Sequence, residues 1–184
     1  MKTFNLKTTY KKIIADTITP VSIYLKIRDK YPNSLLLESS DYRANDNNFS
    51  YICCNPIATI EVKNETITIT NPDGEISQNK ITPDTNVPEV INNFSKQFET
   101  EDNPFKFINN GIFGFTAYDA VRYFEDIEIT KKEGDLDIPD LRYSVYQNII
   151  AINHFNNEAY LFDHTYNKPS NIEAITQLLN AKNY

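Results

Sequence analysis

Tyr143-Ser-Val-Tyr-Gln-Asn-Ile-Ile-Ala-Ile-Asn153, then His-Phe-Asn156-Asn157-Glu, then the return run Ala159-Tyr-Leu-Phe162, is the stretch on which the fold turns. The outward run is long and rich in β-branched and aromatic residues. Asn156-Asn157 supplies a turn, so the segment reads as an antiparallel hairpin. Beyond it, Ser170 reads as the cap of a last helix, with Ile172, Ile175, Leu178 and Leu179 on one apolar face. An apolar stripe so close to Tyr184 must pack on something, which leads to the expectation that the natural chain continues.

Working back from the hairpin, residues 126–139 are charged and irregular and read as an exposed excursion. Phe113–Thr116, with Gly111 and Gly114 beside it, reads as a short strand. Pro88 starts a helix with Val90, Ile91, Phe94 and Phe98 on one face, followed by an acidic loop from Glu99 to Asn103. Ala58–Val62 and Thr66–Thr70 alternate apolar and polar residues around Lys63-Asn64, which predicts a hairpin. Asn71-Pro-Asp-Gly74 is a turn with a further short strand after it. Phe49–Cys54 and Ser34–Glu38 are separate strand candidates, the second a buried one, with a polar loop from Tyr42 to Asn48 between them. Thr19 caps a helix whose first residue is Pro20, where a missing N–H costs nothing. Tyr24, Ile27 and Tyr31 follow at helical spacing until Pro32-Asn33 stops it. Short strands joined by turns, with helices interspersed and no regular βαβ alternation, predict an α+β fold with mainly antiparallel sheets.

The 184 residues suffice for a domain with a real core, and 40% hydrophobic and 23% charged content is that of a globular protein. The formal charge of −7, from 18 basic and 25 acidic residues, argues against nucleic acid, which needs clustered Lys and Arg, and disfavours an anionic membrane surface. No segment approaches the roughly 20 apolar residues of a membrane span, and no stretch of signal-peptide length follows Met1. Cys53 and Cys54 are adjacent, a poor geometry for a relaxed disulfide, and His154 and His164 lack zinc-ligand spacing to them. These features point to the reducing cytoplasm and to buried strand positions for both thiols. Gly111-x-x-Gly114 does not match the dinucleotide fingerprint, and no phosphate loop, nucleophile elbow or H-E-x-x-H helix occurs. Residue chemistry alone describes a binding or structural domain.

Four stretches in order resemble the amino-terminal region of anthranilate synthase component I. They are Thr19-Pro-Val-Ser-Ile-Tyr-Leu-Lys26, Leu36-Leu-Glu-Ser39, Phe49-Ser-Tyr-Ile52 with Asn55-Pro56, and Gly111-Ile-Phe-Gly114-Phe-Thr-Ala-Tyr118-Asp119-Ala-Val-Arg122-Tyr-Phe-Glu125. Ile138-Pro-Asp140 and Phe162-Asp-His164 fall where that family has similar tripeptides. The chain departs from the pattern at Cys53 and Asn110, where the family has Gly. The resemblance implies an amino-terminal regulatory portion of an enzyme that converts chorismate and ammonia to anthranilate and pyruvate in tryptophan biosynthesis. It implies Mg²⁺ and chorismate held by a carboxyl-terminal catalytic part of the same chain, absent from this sequence, and no catalytic residue in this stretch. It further implies ammonia from a glutamine amidotransferase subunit, and tryptophan as feedback inhibitor. Aminodeoxychorismate synthase component I, a folate-pathway homologue, and a free-standing amino-acid-binding domain are the alternatives.

The same resemblance puts the tryptophan site at the Leu36–Ser39 segment. A receptor for free tryptophan needs an acceptor for the ammonium, donors for the carboxylate and an apolar slot for the indole. Glu38 suits the ammonium, and Ser39 suits the carboxylate through its hydroxyl and backbone N–H. Leu37, Pro20 and Val21 are expected to wall the indole, with Phe49 and Ser50 as weaker candidates; without the resemblance the same residues read as a strand leaving a core. Arg122 reads either as an anion clamp or as the partner of Asp119 in an i, i+3 ion pair worth about 0.2–0.5 kcal/mol. The resemblance favours the structural role.

Overall fold

The computed structural model describes residues 2–15, 19–38, 48–127, 129 and 137–181. Along the chain run β1 (Phe4–Ile14), α1 (Pro20–Arg28), β2 (Leu35–Leu37), β3 (Phe49–Lys63), β4 (Thr66–Thr70), β5 (Ile76–Lys80) and α2 (Val87–Ser95). They continue as β6 (Phe98–Thr100), β7 (Phe113–Thr116), a 3-10 helix (Tyr118–Tyr123), β8 (Leu141–Asn153), β9 (Glu158–Thr165) and α3 (Ile172–Asn180). The strand pairs described below are antiparallel, in keeping with the α+β expectation. The chain divides into two compact units, one of Met1–Phe4, Ile57–Glu99 and Ile112–Val145, the other of Asn5–Pro56, Thr100–Gly111 and Tyr146–Tyr184.

In the first unit the hairpin expected around Lys63-Asn64 forms with Thr59 opposite Thr70 and Lys63 opposite Thr66. Its turn holds Asn64 at φ 49° and Glu65 at φ 56°, the double left-handed conformation that matches strand twist. β5 then pairs with β4 from Thr66–Lys80 to Thr70–Ile76. β7 pairs with β8, Phe113 opposite Ser144 and Thr116 opposite Leu141. The Asn86 side chain caps α2 by accepting the Glu89 N–H at 3.0 Å. Phe98, expected on the helix face, instead lies in β6. Its ring meets buried Phe94 edge-on at 5.2 Å and stacks on Phe4 at 5.6 Å, so a strand position satisfies the same apolar demand.

In the second unit the hairpin expected from Tyr143 to Phe162 forms: β9 pairs with β8, Asn148 opposite Asp163 and Asn153 opposite Glu158. β1 lies on the other side of β9, from Lys7–Thr165 to Ile14–Glu158. One face carries Ile52, Cys54, Ile150, Ile152, Ala159 and Leu161, packed with Ile23 and Ile27 of α1 and Ile175, Leu178 and Leu179 of α3. On the other, Phe162 meets Phe105 edge-on at 5.1 Å, and Phe107 lies beside it at 6.0 Å. Cover on both faces explains why β8 is buried at almost every position rather than at every second one.

Several local expectations change. Phe49–Cys54 and Ala58–Val62 are one strand, β3. Asn55 carries it past Pro56 at φ 58°, and its amide donates to the buried Asn148 Oδ1 at 2.7 Å. Ser170 does not occupy the N-cap of α3; Asn171 does, while the Ser170 hydroxyl donates to Asp163 and accepts the Ile172 N–H at 3.3 Å. Ser34–Glu38 shrinks to the three residues of β2, with Leu37 39% exposed rather than buried. Most of the 126–139 excursion lies outside the described residues. Cys53 and Cys54 are buried free thiols in β3, as expected. Burial pushes both up, Cys54 to about 12 with the nearby Asp163 charge adding to it, so neither is a nucleophile at neutral pH.

Candidate functional site

Of the residues expected at the tryptophan site, the described ones, Pro20, Val21, Leu37, Glu38, Phe49 and Ser50, fall in the second unit. Thr19 Oγ1 accepts the Ser22 N–H at 3.1 Å, and Ser22 Oγ returns by accepting the Thr19 N–H at 3.1 Å, a closed capping box that fixes the start of α1. Pro20 in the first turn is buried, and Val21 beside it is 46% exposed. α1 packs on β2, which pairs with β3: Leu35 opposite Cys53, Leu36 opposite Ile52, Leu37 opposite Tyr51.

This register divides the expected set. Successive strand residues point to opposite faces. Leu36 and Ile52 therefore face the apolar cluster beneath α1, on the side of Pro20. Leu37 and Tyr51 face away, toward the side where Phe49 stacks on Tyr51 at 6.1 Å and on Phe107 at 4.8 Å. Leu37 and Phe49 thus belong to one surface, Pro20 and Val21 to the other. The period-2 pleat therefore places Leu37 and Pro20 on different faces of β2 rather than side by side. Glu38 follows β2 and is exposed. Ser39 lies outside the described residues.

Ser50 alternates to the α1 side. It is fully buried, and its Oγ lies 2.7 Å from Nε2 of His154. His154 stands just beyond β8 as an exposed residue, held by its backbone N–H donating to the Asn48 carbonyl at 3.0 Å. The sequence does not single out His154, because its spacing matches no metal or nucleophile motif. Only the placement of β8's end beside the start of β3 brings it to Ser50.

The other histidine is structural. His164 is fully buried, with Nδ1 2.9 Å from Thr8 Oγ1 and Nε2 2.8 Å from the Asn109 carbonyl. Burial holds it below its usual value, so it is neutral at pH 7. A carbonyl only accepts, so Nε2 carries the proton and Nδ1 accepts from the Thr8 hydroxyl. Reciprocal side-chain bonds of 3.0 and 3.1 Å between Asn103 and Asn109 brace the same loop.

In the first unit Arg122 is not paired with Asp119. Its Nη2 donates to Asp140 Oδ2 at 2.8 Å, and the Tyr123 hydroxyl donates to that oxygen at 2.8 Å as well. Backbone bonds fix Asp140 in place, its N–H to Val62 and its carbonyl from the Ala117 N–H, each at 2.8 Å. With side chains only 16% and 12% exposed, the Arg122–Asp140 pair is a largely desolvated clamp rather than a surface ion pair.

Among the described residues no three His, Cys, Asp or Glu side chains gather as a metal site would require, and no helix is long and apolar enough to cross a membrane. A family model described as chorismate binding enzyme matches residues 17–183. Anthranilate synthase component 1 of Lactococcus lactis is 29% identical over 189 residues, covering 94% of this chain and 38% of that protein. Its counterpart in Thermus thermophilus is 31% identical over 151 residues, covering 82% of this chain and 30% of that one. Aminodeoxychorismate synthase component 1 of Bacillus subtilis is 27% identical over 140 residues, covering 76% and 28%. The chain spans about a third of the length of these relatives. With nearly its whole length inside the family match, the chain belongs to the chorismate-binding enzymes.

Proposed function

We propose that this chain is the amino-terminal regulatory portion of an anthranilate synthase component I and supplies part of its tryptophan feedback site. The observation that carries the reading is the pair of anthranilate synthase relatives aligned over most of this chain and about a third of their own. Glu38, at the exit of β2, takes the ligand's ammonium, and Ser39 its carboxylate. Val21, exposed beside the buried Pro20 at the fixed start of α1, lends apolar surface to the indole. Leu37 and Phe49 support the site from the reverse face of β2 and β3 rather than touching the same ring.

Burying an indole contributes about 1.5–3 kcal/mol, and each charge-assisted hydrogen bond about 1.5–3. Half a pocket collects only part of this. A total of about 4 kcal/mol corresponds to a dissociation constant near millimolar, so the chain alone binds weakly and the complete subunit tightly. Inhibition then requires tryptophan to bind one state of the subunit better than another, since a ligand shifts an equilibrium only by its differential affinity.

In this reading chorismate, Mg²⁺ and the glutamine amidotransferase subunit engage the remainder of the protein, which works in the cytoplasm. The complete subunit is expected to form fluorescent anthranilate from chorismate and ammonia; none would favour aminodeoxychorismate synthase, to which one relative belongs. In that subunit Ser39→Phe should fill the ligand slot and abolish tryptophan inhibition while sparing turnover. Inhibition curves unchanged by Ser39→Phe would put the site elsewhere.

The family description favours a second reading, in which this chain itself contacts chorismate through Arg122. The engagement of Arg122 by Asp140 and Tyr123 weighs against it. Arg122→Ala leaves the largely buried Asp140 carboxylate with the Tyr123 hydroxyl but without its cation, and is expected to lower stability by about 2–4 kcal/mol. Turnover per folded molecule should stay near that of the parent, as measured by urea unfolding and steady-state kinetics. The reverse pattern would make Arg122 a substrate ligand.

A further inference from the structure

We propose that Asn110-Gly111 is a self-modification site: the Asn110 side-chain amide leaves as ammonia, an aspartyl or isoaspartyl residue results, and the loop over the aromatic face of the β8–β9 hairpin loosens.

Asn110 is the one asparagine of the chain that a glycine follows, and it stands where the family pattern has Gly. The pair lies between β6 and β7, in neither helix nor strand, so no ladder fixes its backbone. Gly111 is exposed, with φ at 138° and nothing within 4 Å of the place a Cβ would take. The Asn110 side chain is loosely held. Its Nδ2 donates to the Thr100 hydroxyl at 3.3 Å, a long bond, and its buried Oδ1 has no hydrogen-bond partner among the described residues. Asn109 is the contrast. It exchanges side-chain bonds of 3.0 and 3.1 Å with Asn103, donates to the Phe107 carbonyl at 3.0 Å, and precedes a residue with a side chain.

The reaction needs only water. The Gly111 nitrogen gives up its proton and attacks Asn110 Cγ. The N–Cγ bond forms, the Cγ–Nδ2 bond breaks, and Nδ2 leaves as ammonia with that proton. A five-membered cyclic imide remains. Water then opens it at Cγ, giving an aspartyl residue, or at the main-chain carbonyl carbon, giving an isoaspartyl residue whose chain runs on through Cγ. A Cβ on the following residue crowds this closure, and glycine has none. The aspartyl product sets a charge where Oδ1 is already buried and short of donors, and the isoaspartyl product lengthens the main chain by one atom. Next to it the Asn109 carbonyl holds His164 at 2.8 Å, and Phe105 and Phe107 pack on Phe162. Either change therefore strains the attachment of this loop.

The test is to age the folded chain at neutral and mildly alkaline pH and to fragment the tryptic peptide of residues 107–122 by mass spectrometry. Conversion at position 110 should run about tenfold or more faster than at Asn109, a barrier difference of about 1.4 kcal/mol. It should quicken with alkalinity, because the Gly111 N–H must lose its proton. Purified isoaspartyl methyltransferase with labelled S-adenosylmethionine should methylate the aged parent but not aged Asn110→Gln or Asn110→Gly. Hydrogen exchange at 103–109 should rise with age in the parent alone, and spectra of the fresh proteins report their folding. A folded chain that stays unmodified at position 110 while the urea-unfolded chain converts would overturn the inference, as would conversion spread evenly over the asparagines. Conversion that leaves exchange at 103–109 unchanged would overturn the loosening of the loop.

Discussion

Gly114→Ala is expected to destabilise the first unit by about 3 kcal/mol or more, a large effect for the addition of a single methyl group. A Cβ at Gly114 would stand 1.9 Å from the Arg142 carbonyl oxygen and 2.8 Å from the Arg142 carbonyl carbon and Tyr143 Cα. Every obstacle is backbone, so no side-chain rotation relieves the clash. β7 must leave β8, giving up ladder bonds worth about 0.5–1.5 kcal/mol each and part of the burial of Phe113. For a domain of this size such a loss lowers the melting temperature by roughly 6–12 °C. Gly111→Ala is the control: nothing lies within 4 Å of its Cβ, and only its φ of 138° opposes a side chain. That strain costs about 1–3 kcal/mol without parting the strands. Calorimetric melting, with hydrogen exchange at 113–116 and 141–144, separates the two. A Gly114→Ala protein that melts with the parent would refute the close approach.

Asp163→Ala is expected to cost about 3 kcal/mol in the second unit. The carboxylate is fully buried. Oδ1 accepts the Gln147 amide at 3.0 Å, while Oδ2 accepts the Asn171 N–H at 2.9 Å and the Ser170 hydroxyl. Removing it orphans three donors, each of which loses about 1–3 kcal/mol when left unpaired, though the losses are not additive. It also frees the chain that leads from β9 into α3, where Asn171 and buried Asn148 are joined at 2.7 Å. Asp163→Asn keeps one acceptor but turns an amide toward a donor, so it should lose about half as much. Urea midpoints for the three proteins check the order. Parent-like stability of the alanine variant would mean that the network contributes little.

The parts of the fold that are legible in the sequence are those whose signals are local. Asn156-Asn157 and Asn64 mark turns by their own conformational tolerance, and Thr19-Pro20 marks a helix start by capping chemistry. The expectations that fail share a different cause. Asn55-Pro56 looks like a break because its left-handed Asn is usually a turn residue, and only the buried Asn148 partner keeps it within a strand. Helical spacing points Arg122 to Asp119, whereas its partner Asp140 comes from the far side of the charged tract. Ser170 has the chemistry of a cap, but the bond of its neighbour to Asp163 moves that role to Asn171 and leaves no local trace.

The candidate site follows the same division. Glu38 and Pro20 enter the candidate site through the family resemblance. That Leu37 and Phe49 sit on the opposite face is not, because the pleat assigns a face only once the register with β3 is known. His154 stays hidden for the related reason that its partner is 104 residues away.

Titrating the isotope-labelled chain with L-tryptophan, and following the amides of Leu36 to Ser39 with those of Ser50 and Val21, tests the half-pocket account most directly. Saturable shifts confined to these residues, with a dissociation constant near millimolar, are the predicted result. Micromolar affinity would mean that this chain holds the whole site, and shifts that are absent or centred elsewhere would mean that it holds none of it.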